Sequence, residues 1–241
     1  DLRRSRGLGD VYKRQRLVDD WKSAQQFTNN PVKITIPGPM TITDSIADDY
    51  YNDPKKMGYD LALCISNEVK ALSEAGCQYI QIDEPVFARK PEETHDYGME
   101  NLERAMHGIL KETQKACHIC CGYPNSLDSE HYKKADLDAY DKIADLVEDS
   151  SIDEVSLEDS HRPLDLKLLE KFKKTKVIMG LIDVAKSRME SVEEIQKRIR
   201  EVLEHIDEER LIAAPDCGLG FFDRNQAKQK MQILSKAVKN L

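Results

Sequence analysis

His118 and Cys120 stand two residues apart in a short apolar run, with Glu158 and Cys217 much further along the chain. Residues 117–121 read as a strand that stops at Gly122. Alternate side chains of a strand share a face, so His118 and Cys120 point the same way and can grip one ion. Cys121 then turns to the opposite face. An imidazole, two thiolates and a carboxylate make a borderline-soft tetrahedral donor set that suits zinc. Donors this far apart in sequence meet only in a folded domain, whereas a zinc finger uses close local pairs. Their types alone leave two readings open, a zinc centre or scattered core positions.

Of the remaining cysteines, Cys64 and Cys77 lie among apolar neighbours and are expected to be buried small hydrophobes. In a chain of 241 residues that no secretory signal opens, six cysteines do not read as a disulfide framework. Glu84, beside Asp83, reads either as a carboxylate facing a substrate or as the partner of a basic side chain on a neighbouring helix. Asp216 either orients its neighbour Cys217 or caps the following turn. His161 and Arg162 follow Glu158 and reach a substrate, or belong to a helix N-terminus that begins near Ser160.

Strands and helices must position these groups, and from residue 30 onward they alternate. Strands are expected at 32–37, 77–82, 117–121, 154–157, 176–182 and 211–214. Helices are expected at 58–75, 100–115, 137–147, 165–172 and 192–206, with a last one from about 225 that turns Met231, Leu234 and Val238 inward. Leu61, Ile65, Val69 and Leu72 form the inward stripe of the first of these. Six strand–helix units in a row predict an α/β fold with a parallel sheet. Nearly every strand ends on polar or metal-capable residues: Asp83, Glu84, His118, Cys120, Glu158, Asp183, Asp216 and Cys217. Chemistry drawn from many strand ends is the pattern of a (β/α)8 TIM barrel, whereas a doubly wound enzyme gathers its site at one switch point. No GxGxxG or P-loop motif occurs. Six units are two short of a closed barrel, so the expected fold is an N-terminally truncated (β/α)8 barrel with its first two units missing.

The domain reading is residues 16–241 as a single partial barrel. Residues 1–15 carry five basic and two acidic side chains and no hydrophobic period. They read as a basic disordered arm or, better, as a non-native segment, because the string resembles the translated read-through of a sequencing adapter. The chain as a whole has 44 acidic and 36 basic residues, a formal charge of −8, with 40% hydrophobic residues. That composition excludes wholesale disorder. No run approaches the ~18 apolar residues of a spanning helix. An acidic balance without a basic stripe argues against nucleic acid and membrane as partners. A cytoplasmic protein is expected.

The motifs IPGPMT (36–41), QIDEP (81–85), HIC (118–120), SLED (156–159) and APDCG (214–218) resemble, in order, those of the catalytic domain of cobalamin-independent methionine synthases. The resemblance covers almost everything from residue 30 on and implies a (β/α)8 barrel. It implies a zinc ion held by His118, Cys120, Glu158 and Cys217, and Asp83 binding the amino group of homocysteine. Glu84 is carried as a second substrate-binding candidate. The implied reaction is methyl transfer to the homocysteine thiol, held as thiolate by zinc, from a donor of the 5-methyltetrahydrofolate type. The chain also departs from the family. The proton-donating His at the end of the penultimate strand falls on Ala185, which leaves Asp183 and Lys186 as candidate catalytic substitutes. The Trp that packs on the folate is missing, since that region reads Thr43-Asp44-Ser45. The donor and thiol therefore stay open to alternatives. These are a corrinoid-borne methyl group, or epoxide opening as in the epoxyalkane:coenzyme M transferases. A non-catalytic small-molecule binder is the alternative of another class.

Overall fold

The computed structural model describes residues 16–129, 133–136 and 138–241. The expectation for residues 1–15 lies outside them, as does Leu137, where one helix was expected to begin. The elements are α1 (Arg16–Gln25), β1 (Lys33–Pro37), α2 (Pro39–Ser45), α3 (Pro54–Glu74) and β2 (Tyr79–Asp83). Next come two short helices, α4 (Val86–Arg89) and α5 (Pro91–Glu93), a π-helical turn (Thr94–Gly98) and α6 (Met99–Ala105). The chain continues with β3 (Gln114–Ile119), α7 (Ala139–Asp149), β4 (Glu154–Leu157), a 3₁₀ turn (Leu166–Lys171) and β5 (Lys176–Ile182). It ends with α8 (Val192–Val202), a 3₁₀ turn (Glu208–Arg210), β6 (Leu211–Pro215) and α9 (Arg224–Lys239).

All six strands are parallel and lie in sequence order, β1 to β6, with no reversal. Right-handed crossovers that always step in one direction place every helix on the same face of the sheet. Burial follows that rule. Ile80 and Ile82 of β2, Cys117 and Ile119 of β3, and Val155 and Leu157 of β4 join one apolar core with Val69 and Leu72 of α3 and Ile143 and Val147 of α7. Each Val, Leu or Ile among them, fully buried, contributes ~1.5–3 kcal/mol of transfer free energy. The alternate residues, Gln81, Asp83, His118 and Ser156, face the concave side. This is six successive staves of a (β/α)8 barrel, with β1 and β6 as its two edges among the described residues. On β1 the concave-side residues Lys33, Thr35 and Pro37 are exposed. No helix among the described residues is long and apolar enough to cross a membrane.

Five sequence expectations change, the first being the helix expected over 165–172, which is the 3₁₀ turn Leu166–Lys171. The helix expected over 100–115 stops at Ala105, because Gly108 turns the chain with φ 77°, a conformation that glycine tolerates, and β3 already begins at Gln114. That strand ends at Ile119, so Cys120 and Cys121 lie just beyond it. Cys64 is exposed, whereas Cys77 is buried as expected. On α9, Met231 and Val238 face solvent, and the buried stripe is Lys230, Leu234 and Ala237. Lys230 has no exposed surface, and its Nζ lies 3.0 Å from Glu190 Oε2.

Candidate metal centre

The β2–β3–β4 register sets Asp83, His118 and Ser156 side by side at the carboxyl end of the sheet. His118 Nδ1 lies 2.8 Å from Ser156 Oγ, which fixes the ring. Its Nε2 is buried and has no hydrogen-bond partner. A buried ring nitrogen of this kind is normally paired or bound to a metal. The donor atoms of His118, Cys120 and Cys217 all lie within 4.8 Å of one another. One nitrogen and two sulfurs at that separation fit a zinc ion with bonds of ~2.0–2.3 Å. In the tautomer that leaves Nε2 its lone pair, Nδ1–H donates to Ser156, the arrangement that orients metal-binding histidines elsewhere.

Electrostatics binds the three groups together. A hydrogen bond from the Cys120 thiol pushes Cys217 down to about 4, and His118 beside it acts in the same direction. Cys120 shifts upward, through that same hydrogen bond and through burial. Burial alone would lower His118, but Cys217, Asp83 and Glu158 together hold it above its ordinary value. Asp83 is also raised, by burial, although the amide of Gln81 donates to its Oδ1 at 2.7 Å. Asp83, His118, Cys120 and Cys217 line one cavity of about 420 Å³, together with Arg89, Tyr123 and Lys133.

Glu158 is buried beside the cluster but outside the group of three. Its Oε2 accepts the Cys121 N–H at 2.9 Å and the Lys134 ammonium at 3.1 Å. Cys121 packs in the apolar core on the other face, as strand alternation predicts. Two residues fix the strand ends. Tyr140 Oη donates to Ile119 O at 2.8 Å and accepts the Glu158 N–H at 3.2 Å, clamping the exits of β3 and β4. Asp216 is fully buried, and its carboxylate accepts the successive N–H groups of Asp159, Ser160 and His161 at 2.8–3.0 Å. The residue before Cys217 thereby holds the loop that follows Glu158. Burial raises Asp216 to about 7. A Cβ on Gly180 would lie 2.2 Å from Asp216 Oδ1, so glycine is what lets that carboxylate in.

The other candidates lie elsewhere. Glu84 is fully buried under α2: its Oε1 accepts Met40 N–H at 3.0 Å, and its Oε2 accepts Thr41 N–H at 2.9 Å and the Thr41 hydroxyl at 2.6 Å. It closes the N-terminus of that helix and does not line the cavity. Asp183 accepts Ala185 N–H at 2.7 Å and lies 3.3 Å from His161 Nδ1. Lys186 Nζ reaches Ser129 O at 3.4 Å. Neither Asp183 nor Lys186 lines the cavity of the three donors. Arg162 donates to Ala135 O at 2.7 Å. Sequence reasoning missed Arg89, Tyr123, Lys133 and Tyr140. Tyr123 Oη bonds to Gly218 O at 2.7 Å, next to Cys217. The only hint of its place is that it follows Gly122, where β3 was expected to stop.

Residues 7–240 match the family model described as "Cobalamin-independent synthase, Catalytic domain". The chain is 32% identical over 229 residues to a methionine synthase of Thermococcus kodakarensis, covering 94% of this chain and 62% of that protein. It is 34% identical over 212 residues to a methionine synthase of Pyrococcus horikoshii, covering 88% of this chain and 57% of that one. The chain thus spans about three-fifths of the length of these curated relatives. Among solved structures it is similar to a B12-independent methionine synthase of a Shewanella species in complex with selenomethionine. There the TM-score is 0.84 at 32% identity, over 92% of this chain and 65% of that one. A methyltransferase from Methanosarcina mazei shares the fold, with TM-score 0.66 at 16% identity over 91% of this chain and 63% of that one.

Proposed function

The chain belongs to the cobalamin-independent methionine synthase family, matching its catalytic domain, and from that premise we propose that it carries the catalytic site of a zinc-dependent methyltransferase. The reaction moves a methyl group from a donor of the 5-methyltetrahydrofolate type to the thiol of homocysteine, giving methionine. One observation carries the reading: a ring nitrogen of His118, whose buried Nε2 has no hydrogen-bond partner, lies within 4.8 Å of the sulfurs of Cys120 and Cys217. The relatives support the substrate. The two curated relatives and the Shewanella protein are methionine synthases, and the Shewanella protein is in complex with selenomethionine, the product with selenium in place of sulfur.

His118, Cys120 and Cys217 would hold the ion, with Glu158, whose Oε2 lies 3.1 Å from the Lys134 ammonium, as the candidate fourth ligand. Zinc bound there supplies the charge that keeps a thiol anionic near neutral pH, the nucleophile that alkyl transfer needs. Asp83, on the wall of the same cavity, receives the ammonium group of homocysteine and so aims its thiol. Held in place this way, the thiol gains part of the ~7–11 kcal/mol that proximity offers. Tyr140 and Asp216 keep the strand exits at fixed separation, which orients the donors. Asp183, 3.3 Å from His161 Nδ1, and Lys186 are carried as proton-handling candidates in place of the histidine that Ala185 replaces, although neither lines the cavity of the three donors.

Zinc-edge X-ray absorption on the zinc-loaded chain, before and after homocysteine, tests the reading. One added sulfur neighbour is expected. An unchanged sulfur count overturns it, and a response to coenzyme M instead of homocysteine reassigns the thiol.

A further inference from the structure

The buried side chain of Gln81 bridges two charged groups. Its Oε1 accepts the Lys33 ammonium at 2.5 Å, and its Nε2 donates to Asp83 Oδ1 at 2.7 Å. We propose that Gln81 is a positioning residue for the thiol substrate: pinned by Lys33, it fixes the Asp83 carboxylate so that the site selects a thiol that carries an ammonium group. The inference rests on the function proposed above, in which Asp83 receives that ammonium.

The chemistry of the bridge sets its direction. An ammonium has only donors and an ionised carboxylate only acceptors, so the amide oxygen must face Lys33 and the amide nitrogen must face Asp83. The fold supplies the three groups from two neighbouring strands. Gln81 and Asp83 stand two apart on β2 and share the concave face, and Lys33 comes from β1, whose Thr35 and Pro37 are their register partners. No other side chain in that layer takes the place of Gln81. Its lateral neighbour on β3 is Ala116, which brings no polar group, and beyond it Glu154 of β4 is a carboxylate whose charge acts on Lys33.

Asp83 lines the cavity of His118, Cys120 and Cys217, whereas Gln81 and Lys33 do not, so these two act on a ligand through Asp83. With Oδ1 tied to Gln81, the carboxylate is held in one orientation and offers its second oxygen to the cavity. A group fixed before binding loses less freedom when the ligand arrives, which raises affinity for the cation at which it is aimed. A thiol without an amino group gains nothing from this arrangement.

Calorimetric titration of the zinc-loaded chain tests the inference, with homocysteine and with 4-mercaptobutyrate, which keeps the thiol and the carboxylate but lacks the amino group. The unaltered chain should bind homocysteine the more tightly, and Asp83→Asn should lose that preference. Gln81→Leu should cut the ratio of the two affinities about tenfold or more, the size of a hydrogen bond to a charged group. Lys33→Met should cut it less, and Lys33→Arg, which keeps a cation, should retain it. Lys33 is exposed on the edge strand β1, so this pair decides the matter if Gln81→Leu melts early. An intact ratio in Gln81→Leu, whether or not both thiols bind more weakly, is the mark of a purely structural role and overturns the inference. If Asp83→Asn still loses the preference, the proposed function stands. No preference in the unaltered chain refutes the role given to Asp83, and the inference falls with it. A second readout needs neither zinc nor thiol. In heteronuclear NMR spectra of the zinc-free chain, the Gln81 side-chain amide, identified by its loss in Gln81→Leu, should exchange slowly with water and shift in Lys33→Met. A freely exchanging amide overturns the bridge whatever the thiols do.

Discussion

Replacing Lys230 by methionine should be among the most damaging changes outside the metal centre. The ammonium group has no exposed surface and lies 3.0 and 3.1 Å from the two oxygens of Glu190, whose side chain is only 3% exposed. It also donates to Asp183 O at 3.1 Å and Arg188 O at 2.8 Å. Methionine fills similar space but leaves a buried carboxylate without its cation and two carbonyls without a donor. Removing one partner of such a pair costs about 3–5 kcal/mol, because the remaining charge has no water to turn to. In a domain of this size that corresponds to a fall in Tm of roughly 6–20 °C. Glu190 Oε1 also accepts the Asp183 N–H at 3.1 Å, so the same change loosens the β5 exit. Urea unfolding of Lys230→Met, Glu190→Gln and the double variant measures the coupling. The double variant should recover about 2 kcal/mol of the loss, since it no longer buries an unpaired charge. Lys228→Met, two residues away on the exposed face, is the control. A loss below about 1 kcal/mol for Lys230→Met, or one equal to that of the control, would refute the reasoning.

Cys217→Ser or His118→Ala should lower zinc affinity by orders of magnitude, and stoichiometric zinc retained in either variant, read by elemental analysis, would show a different ligand set. Ser156→Ala removes the partner of His118 Nδ1 and should weaken zinc binding about 10–100-fold without altering its stoichiometry, measured by chelator competition. Gly180→Ala should destabilise by about 1–3 kcal/mol in thermal unfolding, since the added methyl meets the backbone Cα of Asp216 at 2.8 Å as well as its carboxylate. Burial raises Glu84 from 4.5 to about 7, so the folded state favours its protonated form. Its contribution is therefore complete below pH ~4.5 and is lost as pH rises through 7, a change of about 3 kcal/mol. Glu84→Gln should flatten that part of the stability profile between pH 5 and 8, and an unchanged slope would contradict the assignment.

The order of elements was legible because apolar periodicity and turn residues are local. The strand at 154–157 and the one at 176–182 appear where the sequence places them. The metal candidates His118, Cys120 and Cys217 were legible for a related reason, since a residue at the end of a parallel strand has its position set by the register of the sheet. Helix α9 shows where local information stops. Met231, Leu234 and Val238 form one plausible apolar stripe, yet the helix settles with Lys230 inward, because Glu190, in the loop between β5 and α8, is buried and needs a cation. No pattern within α9 contains that fact.

Glu84 makes the same point at the site. Its place beside Asp83 suggests a second carboxylate aimed at a substrate, but α2 sets two backbone N–H groups and a hydroxyl on it. The sequence by itself determined which residues end the strands and which chemistry their side chains have in common. Tertiary structure decided which of those groups share one cavity, which are used up in holding the frame, and where the cations of Arg89 and Lys133 come to stand. The reason is physical: periodicity is set by neighbours along the chain, whereas the partner of a buried charge is set by whatever the fold brings against it.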